Sequence, residues 1–284
     1  MADIYKSKAG QEAVERLYRD ALQRWPVPNR QITVPTRHGD TFVVACGETH
    51  STPLVLFHGS GTNSSAWIAD VAAWAQEYRV YAIDMIGEPG LSAPSRPSMH
   101  SNAYVEWLDD LWDHLGLESA SIVGVSLGGW LGLEYAVKRP ARVASLSLVS
   151  PSGVGAQNHL LLLKAGLLLM LGRWGLRKAL ALVTGRTNLP GEVSDALLLR
   201  FRHFRPRMDK LPIRTHDELA GLRMPVQLIV GGRDALLRSA ETRDRMTRSV
   251  RNLQVVYLEN EGHILPRQTA TIAEFLRRTS SAAA

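Results

Sequence analysis

Short blocks of consecutive apolar residues alternate along this chain with longer stretches in which apolar residues return every three or four positions. The blocks are Pro53–Phe57, Tyr78–Ile83, Ser121–Val125, Val143–Val149, Val226–Val230 and Leu253–Leu258. Their length and lack of polar alternation predict strands covered on both faces. Between them, Ser65–Gln76, the stretch carrying Trp107, Leu108, Leu111, Trp112 and Leu115, Leu127–Lys138, Ser239–Val250 and Thr269–Arg278 carry the helical period. Strands alternating with helices of this length imply crossover connections and a mostly parallel sheet. Ahead of this rhythm, Gln11–Trp25 places Val14, Leu17, Tyr18 and Leu22 on one helical face, and Pro26 and Pro28 end the helix. Gln31–Pro35 and Thr41–Ala45 then read as a hairpin turning at Arg37–Asp40.

The rhythm breaks after Pro151. From Gly155 to about Leu222 the chain shows leucine-rich helical stretches and no strand pattern, the first through Leu160–Val183 and the second over Val193–Phe204. This predicts an α/β fold interrupted by a helical insertion. The expected units are an N-terminal helix over 1–27, a core over 28–154 and 223–278, a helical cap over 155–222 and a disordered tail over 279–284. The longest near-apolar run, Leu160 to Gly172, is thirteen residues broken by Lys164, too short to span a bilayer. No n-region, h-region and cleavage site opens the chain, and Cys46 is the single cysteine. Both fit a cytoplasmic protein.

Composition adds one fact, the location of charge. The formal net charge is +6, and Val154–Glu218 holds 11 Lys or Arg against 5 Asp or Glu, so the excess lies there. A local excess of this kind does not predict a nucleic-acid partner. The basic cluster Arg200-Phe-Arg-His-Phe-Arg205-Pro-Arg207 is expected to be solvated.

The chemistry concentrates where strands end. Gly124-Val-Ser126-Leu-Gly128 is G-x-S-x-G between a predicted strand and a predicted helix. Such a turn lifts the serine hydroxyl clear of the sheet and leaves the N–H of Leu127 free at the helix start. A serine there needs a base, and the base needs an acid to orient it. Asp234 follows the strand ending at Val230, and His263 follows the strand ending at Leu258. Parallel sheets place their sites at this carboxyl edge. Glu259 and Glu261 share a loop with His263, where a lateral approach to the imidazole is difficult; Asp234 is the preferred acid. The loop His58-Gly59-Ser60-Gly61 supplies backbone near the serine. The N–H groups of Ser60 and Leu127 are the expected oxyanion donors, with Gly61 the alternative to Ser60. His58, with no acid placed to orient it, is expected to hydrogen-bond within its loop.

Together His58-Gly-Ser-Gly61, Gly124-Val-Ser126-Leu-Gly-Gly129, Gly231-Gly-Arg-Asp234 and Gly262-His263 resemble the α/β-hydrolase superfamily, in particular its small cap-bearing serine esterases and hydrolases. The likeness covers about Pro28 to Arg278. It implies Ser126 as nucleophile, His263 as general base, Asp234 as its partner and Ser60 and Leu127 as the oxyanion hole. It implies no metal or organic cofactor and a small-molecule ester as substrate; the leucine-rich run at 160–170 adds the expectation that this ester carries an apolar group. Hydrolysis of amides, lactones or C–C bonds, and a non-catalytic receptor on the same fold, are the alternatives. Ser126 stands where dehalogenases and epoxide hydrolases of this fold carry Asp, and Ile264 where C–C bond hydrolases usually carry Trp. Asp84-Met-Ile-Gly87-Glu-Pro-Gly90-Leu-Ser92 is one residue longer than the Asp-x-x-Gly-x-Gly-x-Ser loop common among relatives. The leucine-rich run at 160–170 is expected both to pack on the main domain and to roof the serine.

Overall fold

The computed structural model describes residues 4–169, 171–184 and 191–281. Met170 of the leucine-rich run and Ala282–Ala284 of the expected tail lie outside them. The first helix, α1 (Lys8–Gln23), is capped by the Ser7 side chain, which accepts from the Gly10 N–H, and it buries Val14, Tyr18 and Leu22. The hairpin follows as β1 (Asn29–Val34) and β2 (Thr41–Cys46), in antiparallel register with Val34 opposite Thr41. Alternation then proceeds through β3 (Thr52–Phe57), α2 (Val71–Trp74), β4 (Tyr78–Ile83), α3 (Ala103–His114), β5 (Ala120–Val125), α4 (Leu127–Lys138) and β6 (Val143–Val149).

Eight strands form one sheet in the order β1-β2-β4-β3-β5-β6-β7-β8, where β7 is Val226–Gly231 and β8 is Leu253–Leu258. β1, β2 and β4 pair antiparallel and every other neighbour is parallel. Because side chains alternate along a strand, β3 sends Val55 and Phe57 to one face and Leu54 and Leu56 to the other. On the first face they meet Trp107 and Trp112 of α3 and Leu131 and Leu133 of α4. On the second they meet Tyr18 of α1, Trp74 of α2 and Phe275 of the last helix. Coverage on both sides explains why these strands are apolar without interruption.

The expected insertion lies between β6 and β7. It comprises α5 (His159–Leu169), α6 (Gly172–Thr184), α7 (Gly191–His203) and the short α8 (His216–Ala220). Gly172, at φ +64, turns the chain between α5 and α6, and Gly175 lies so close to the Leu168 carbonyl that a Cβ would sit 1.9 Å from it. The apolar run therefore folds back on itself. After β7 come α9 (Ser239–Ser249), β8 and α10 (Thr269–Ser281).

Three local expectations are corrected. Ser65–Gln76 is not one helix: the Asn63 side chain accepts from the Ser65 N–H and hydroxyl, drawing Ser64–Trp67 into a tight 3-10 turn before α2. The last helix runs on to Ser281, taking in three residues expected in the tail. The basic cluster is only partly solvated, since Arg200 is buried and Arg207 is held by Tyr104, Asp209 and the Pro97 carbonyl.

The described N-terminal residues pair with the end of α7. Tyr5 bridges Phe204 at the end of α7, Lys6 N–H donates to the His203 carbonyl and Arg205 N–H donates to that of Ile4. No helix among the described residues is long and apolar enough to cross a membrane.

Candidate active site

Ser126 stands between β5 and α4 with φ at +52, a conformation L residues rarely adopt outside a tight turn. Its N–H donates to the Val149 carbonyl, and its carbonyl accepts from Trp130 and Ser152. Two glycines make the turn sterically possible. A Cβ on Gly124 would sit 2.4 Å from the Gly128 carbonyl oxygen, and one on Gly128 would sit 2.2 Å from that of Phe57.

The exits of β7 and β8 bring the other two residues to this hydroxyl. His263 Nε2 lies 3.1 Å from Ser126 Oγ, and His263 Nδ1 lies 2.7 Å from Asp234 Oδ2. A carboxylate only accepts, so Nδ1 carries the proton and Nε2 is left to accept from the serine. The Asp234 side chain is fully buried, and its second oxygen accepts from the N–H groups of Leu236 and Leu237, which fixes its orientation. Ser150, at φ +43 beyond β6, donates from its hydroxyl to the His263 carbonyl at 3.1 Å. That strand exit, Ser150-Pro-Ser-Gly153, carries no carboxylate, and nothing local in the sequence marks its serine.

On the other side of Ser126, the loop after β3 is tied down residue by residue. His58 is buried, its Nδ1 facing the Gly59 carbonyl at 2.9 Å and its Nε2 accepting from the Met85 N–H at 3.0 Å. Burial lowers its pKa, which keeps the ring neutral and able to accept. His58 thus joins the exit of β3 to that of β4, a wider reach than its own loop. The Gly61 N–H donates to Glu88 Oε2 at 2.6 Å, and the Ser60 hydroxyl approaches the same oxygen at 3.4 Å. Gly61, the alternative oxyanion donor, therefore has its N–H engaged below the loop.

Glu88 was missed from sequence. The signal available was the extra residue in the Asp84–Ser92 loop, which is where it lies. Asp84 organises that loop from within, accepting from Tyr18, Ser64 and Leu91, and Gly90 passes so close to it that a Cβ would lie 2.4 Å from Oδ2. Glu88 itself is 1% exposed, and burial pushes its pKa up to about 7 against the opposing effect of the Gly61 N–H, Arg96 and Arg207.

Ser126, His263, Ser60 and Leu127 open into a cavity of about 510 Å³. Its walls are mainly apolar: Trp67 and Trp74 on the core side, Leu197 and Phe201 from α7, and Ala165 and Ala179 from α5 and α6. From the leucine-rich stretch, α5 reaches the cavity through Ala165, while Leu161 packs with Leu236 and Leu237. Among the described residues, no group of three His, Cys, Asp or Glu side chains is placed to hold a metal ion.

Residues 54–277 match the model of the alpha/beta hydrolase family. The chain belongs to that family. Among its curated relatives, an uncharacterized carboxylesterase, nap, of Bacillus subtilis (strain 168) is 29% identical over 265 residues, covering 89% of this chain and 87% of the relative. Carboxylesterase YbfK of the same strain is 29% identical over 256 residues, covering 87% and 86%. Among solved structures, naproxen esterase (carboxylesterase NP) of Bacillus subtilis superposes with a TM-score of 0.84 at 26% identity, over 98% of this α/β hydrolase and 100% of that chain. A hydrolase of 2-hydroxy-6-oxo-6-phenylhexa-2,4-dienoate from Rhodococcus, at 23% identity and a TM-score of 0.72, shares the fold.

Proposed function

We propose that this α/β hydrolase is a serine esterase acting on small carboxylic esters with an apolar group. The observation that carries the reading is the chain Ser126 Oγ–His263 Nε2 and His263 Nδ1–Asp234 Oδ2, opening into a mainly apolar cavity. His263 takes the hydroxyl proton as Ser126 Oγ bonds to the ester carbonyl carbon. The imidazolium formed is stabilised by the buried Asp234 carboxylate. Negative charge gathers on the former carbonyl oxygen, where the N–H groups of Ser60 and Leu127 donate to it. The reading takes Ser60 rather than Gly61 because the Gly61 N–H is already engaged by Glu88. The C–O bond then breaks, the leaving alcohol takes its proton from His263, and water repeats the sequence on the acyl-enzyme to release the acid.

The esterase names of nap, YbfK and naproxen esterase support the same substrate class. Each methylene buried in the cavity should contribute about 0.8 kcal/mol, so kcat/KM should rise with acyl length until the wall is reached. The test is a series of p-nitrophenyl esters of increasing chain length, run with the wild type and Ser126→Ala. We expect the substitution to lower kcat by orders of magnitude in a folded protein, and Asp234→Asn to impair it far more than Glu259→Gln or Glu261→Gln. Near-wild-type turnover by Ser126→Ala would falsify the nucleophile. A folded wild type inert towards esters, amides and lactones would make the protein a receptor on this fold.

A further inference from the structure

The helical pair α5–α6 is apolar on both sides. Inwardly, Leu161, Ala165 and Ala179 are buried, and the two alanines face the cavity. Outwardly, Leu160 and Leu167 are 61% and 59% exposed on one face of α5, with exposed Lys164 between them at helical spacing. Leu171, 59% exposed, follows in the turn, and Trp174, 61% exposed, stands in the first turn of α6 with Arg177 and Lys178 exposed one turn on. Lys178 Nζ lies 5.9 Å from the centre of the Trp174 ring. From Pro151 to Gly191 the sequence contains Lys164, Arg173, Arg177, Lys178 and Arg186 and no Asp or Glu.

We propose that this outer face docks on an anionic lipid surface, with its leucines and Trp174 in the headgroup–acyl boundary and its lysines and arginines against lipid phosphates. Exposed leucines clustered beside a tryptophan are costly to leave in water and mark an interaction surface. The charge pattern selects the partner. A second copy meeting this face with its own would bring cations against cations with no acidic residue in the stretch to answer them. Anionic lipid supplies the missing charge. Helices of 11 and 13 residues are too short to span a bilayer, so the pair lies in the interface, where tryptophan favours the headgroup level and long basic side chains reach outward from a buried stem. This inference does not depend on the ester reading. It would place the roof of the cavity against a phase in which apolar molecules concentrate.

The composition of the chain provides the probe. Of its seven tryptophans, six are 7% exposed or less, so Trp174 is the one whose emission should respond to a lipid surface. The experiment measures co-sedimentation and tryptophan emission with vesicles of phosphatidylcholine alone and of phosphatidylcholine with phosphatidylglycerol. Binding is expected only to the anionic vesicles, with a blue shift absent from Trp174→Phe and quenching by brominated acyl chains. Replacing Leu160, Leu167 and Leu171 by Ser should abolish the shift. Lys164→Gln, Arg177→Gln and Lys178→Gln together should weaken binding roughly a hundredfold. The variants are compared by circular dichroism; should the leucine variant not fold, brominated-lipid quenching of the wild type decides the same point. Three results would each overturn the proposal. One is no association with anionic vesicles at low salt. Another is association without a Trp174 response, which is adsorption of a basic protein by charge alone. The third is a dimer in light scattering that dissociates when the leucines are replaced.

Discussion

Burial leaves the Glu88 carboxyl with one oxygen accepting from the Gly61 N–H and the other, among the described residues, with no hydrogen bond. Water is excluded there, which penalises the charged form and moves the pKa from 4.5 to about 7. The sign of the consequence is the reverse of that for a paired surface carboxylate. Between these two values the folded protein holds a proton that the unfolded chain has released, so stability present below the unfolded pKa is lost as pH rises through 7. The loss amounts to about 3 kcal/mol, as an order of magnitude. Glu88→Gln keeps an acceptor for Gly61 and removes the titration. Its stability relative to the wild type should therefore rise by about this amount between roughly pH 5 and pH 8, as read from denaturant midpoints at each pH. A difference that stays constant across the range would show that Glu88 ionises like an ordinary surface glutamate. Ser126, Asp234 and His263 were legible as candidates because a parallel sheet delivers consecutive strand exits to one edge, so position in sequence implied position in space. Glu88 and Ser150 act through contacts between loops; the extra residue in the Asp84–Ser92 loop marked the place of the first, but no local pattern encodes the partner of either.

Where α4 crosses the end of β3, glycines decide what is possible. A Cβ on Gly128 would sit 2.2 Å from the Phe57 carbonyl, whereas Gly116, at φ +66, has nothing among the described residues within 4 Å of its Cβ position. Gly116→Ala should cost about 1 kcal/mol, the strain of a left-handed alanine, and leave activity intact. Gly128→Ala must push α4 away from the strand. It should cost several times as much and move Ser126 and Leu127, lowering kcat as well as the melting temperature. Parallel measurement of melting temperature and ester turnover separates the two, and equal losses would remove the steric argument. Strands β3 to β7 were readable to within a residue at each end, because burial on both faces leaves continuous apolar runs, whereas exposed β1 begins two residues before its expected start. The helical insertion was readable only in outline. An all-round apolar stretch has no polar face to mark its phase, so the turn at Gly172 between α5 and α6 did not stand out from the leucines around it.

Across the whole molecule, the insertion must leave and rejoin the sheet without loosening the residues it covers, and Arg214 stands where it returns. Its N–H donates to the Gly153 carbonyl at the outgoing end, so the two ends of the insertion are joined directly. Its guanidinium lies 2.6 Å from Glu134 of α4 and 3.0 Å from Glu218 of α8. The side chains of Arg214 and Glu134 are 6% and 7% exposed, while Glu218 is 30% exposed. Burial raises the pKa of Glu134, with Arg214 opposing the rise. A pair like this weighs little as a whole, since its attraction mostly offsets desolvation, but removing one partner strands the other. The two single substitutions should therefore be unequal. Arg214→Met leaves Glu134 buried without its cation and should cost about 3 kcal/mol, whereas Glu134→Gln leaves Arg214 with Glu218 and should cost less. The double variant should recover part of the larger loss, giving a coupling of about 1–3 kcal/mol in a double-mutant cycle. Because Arg214 closes the insertion onto the core, Arg214→Met should also raise the rate of proteolysis within 155–222 more than global destabilisation accounts for. Additive single effects, with cleavage following global stability alone, would mean that Arg214 is a packing residue and the insertion is held by its apolar contacts.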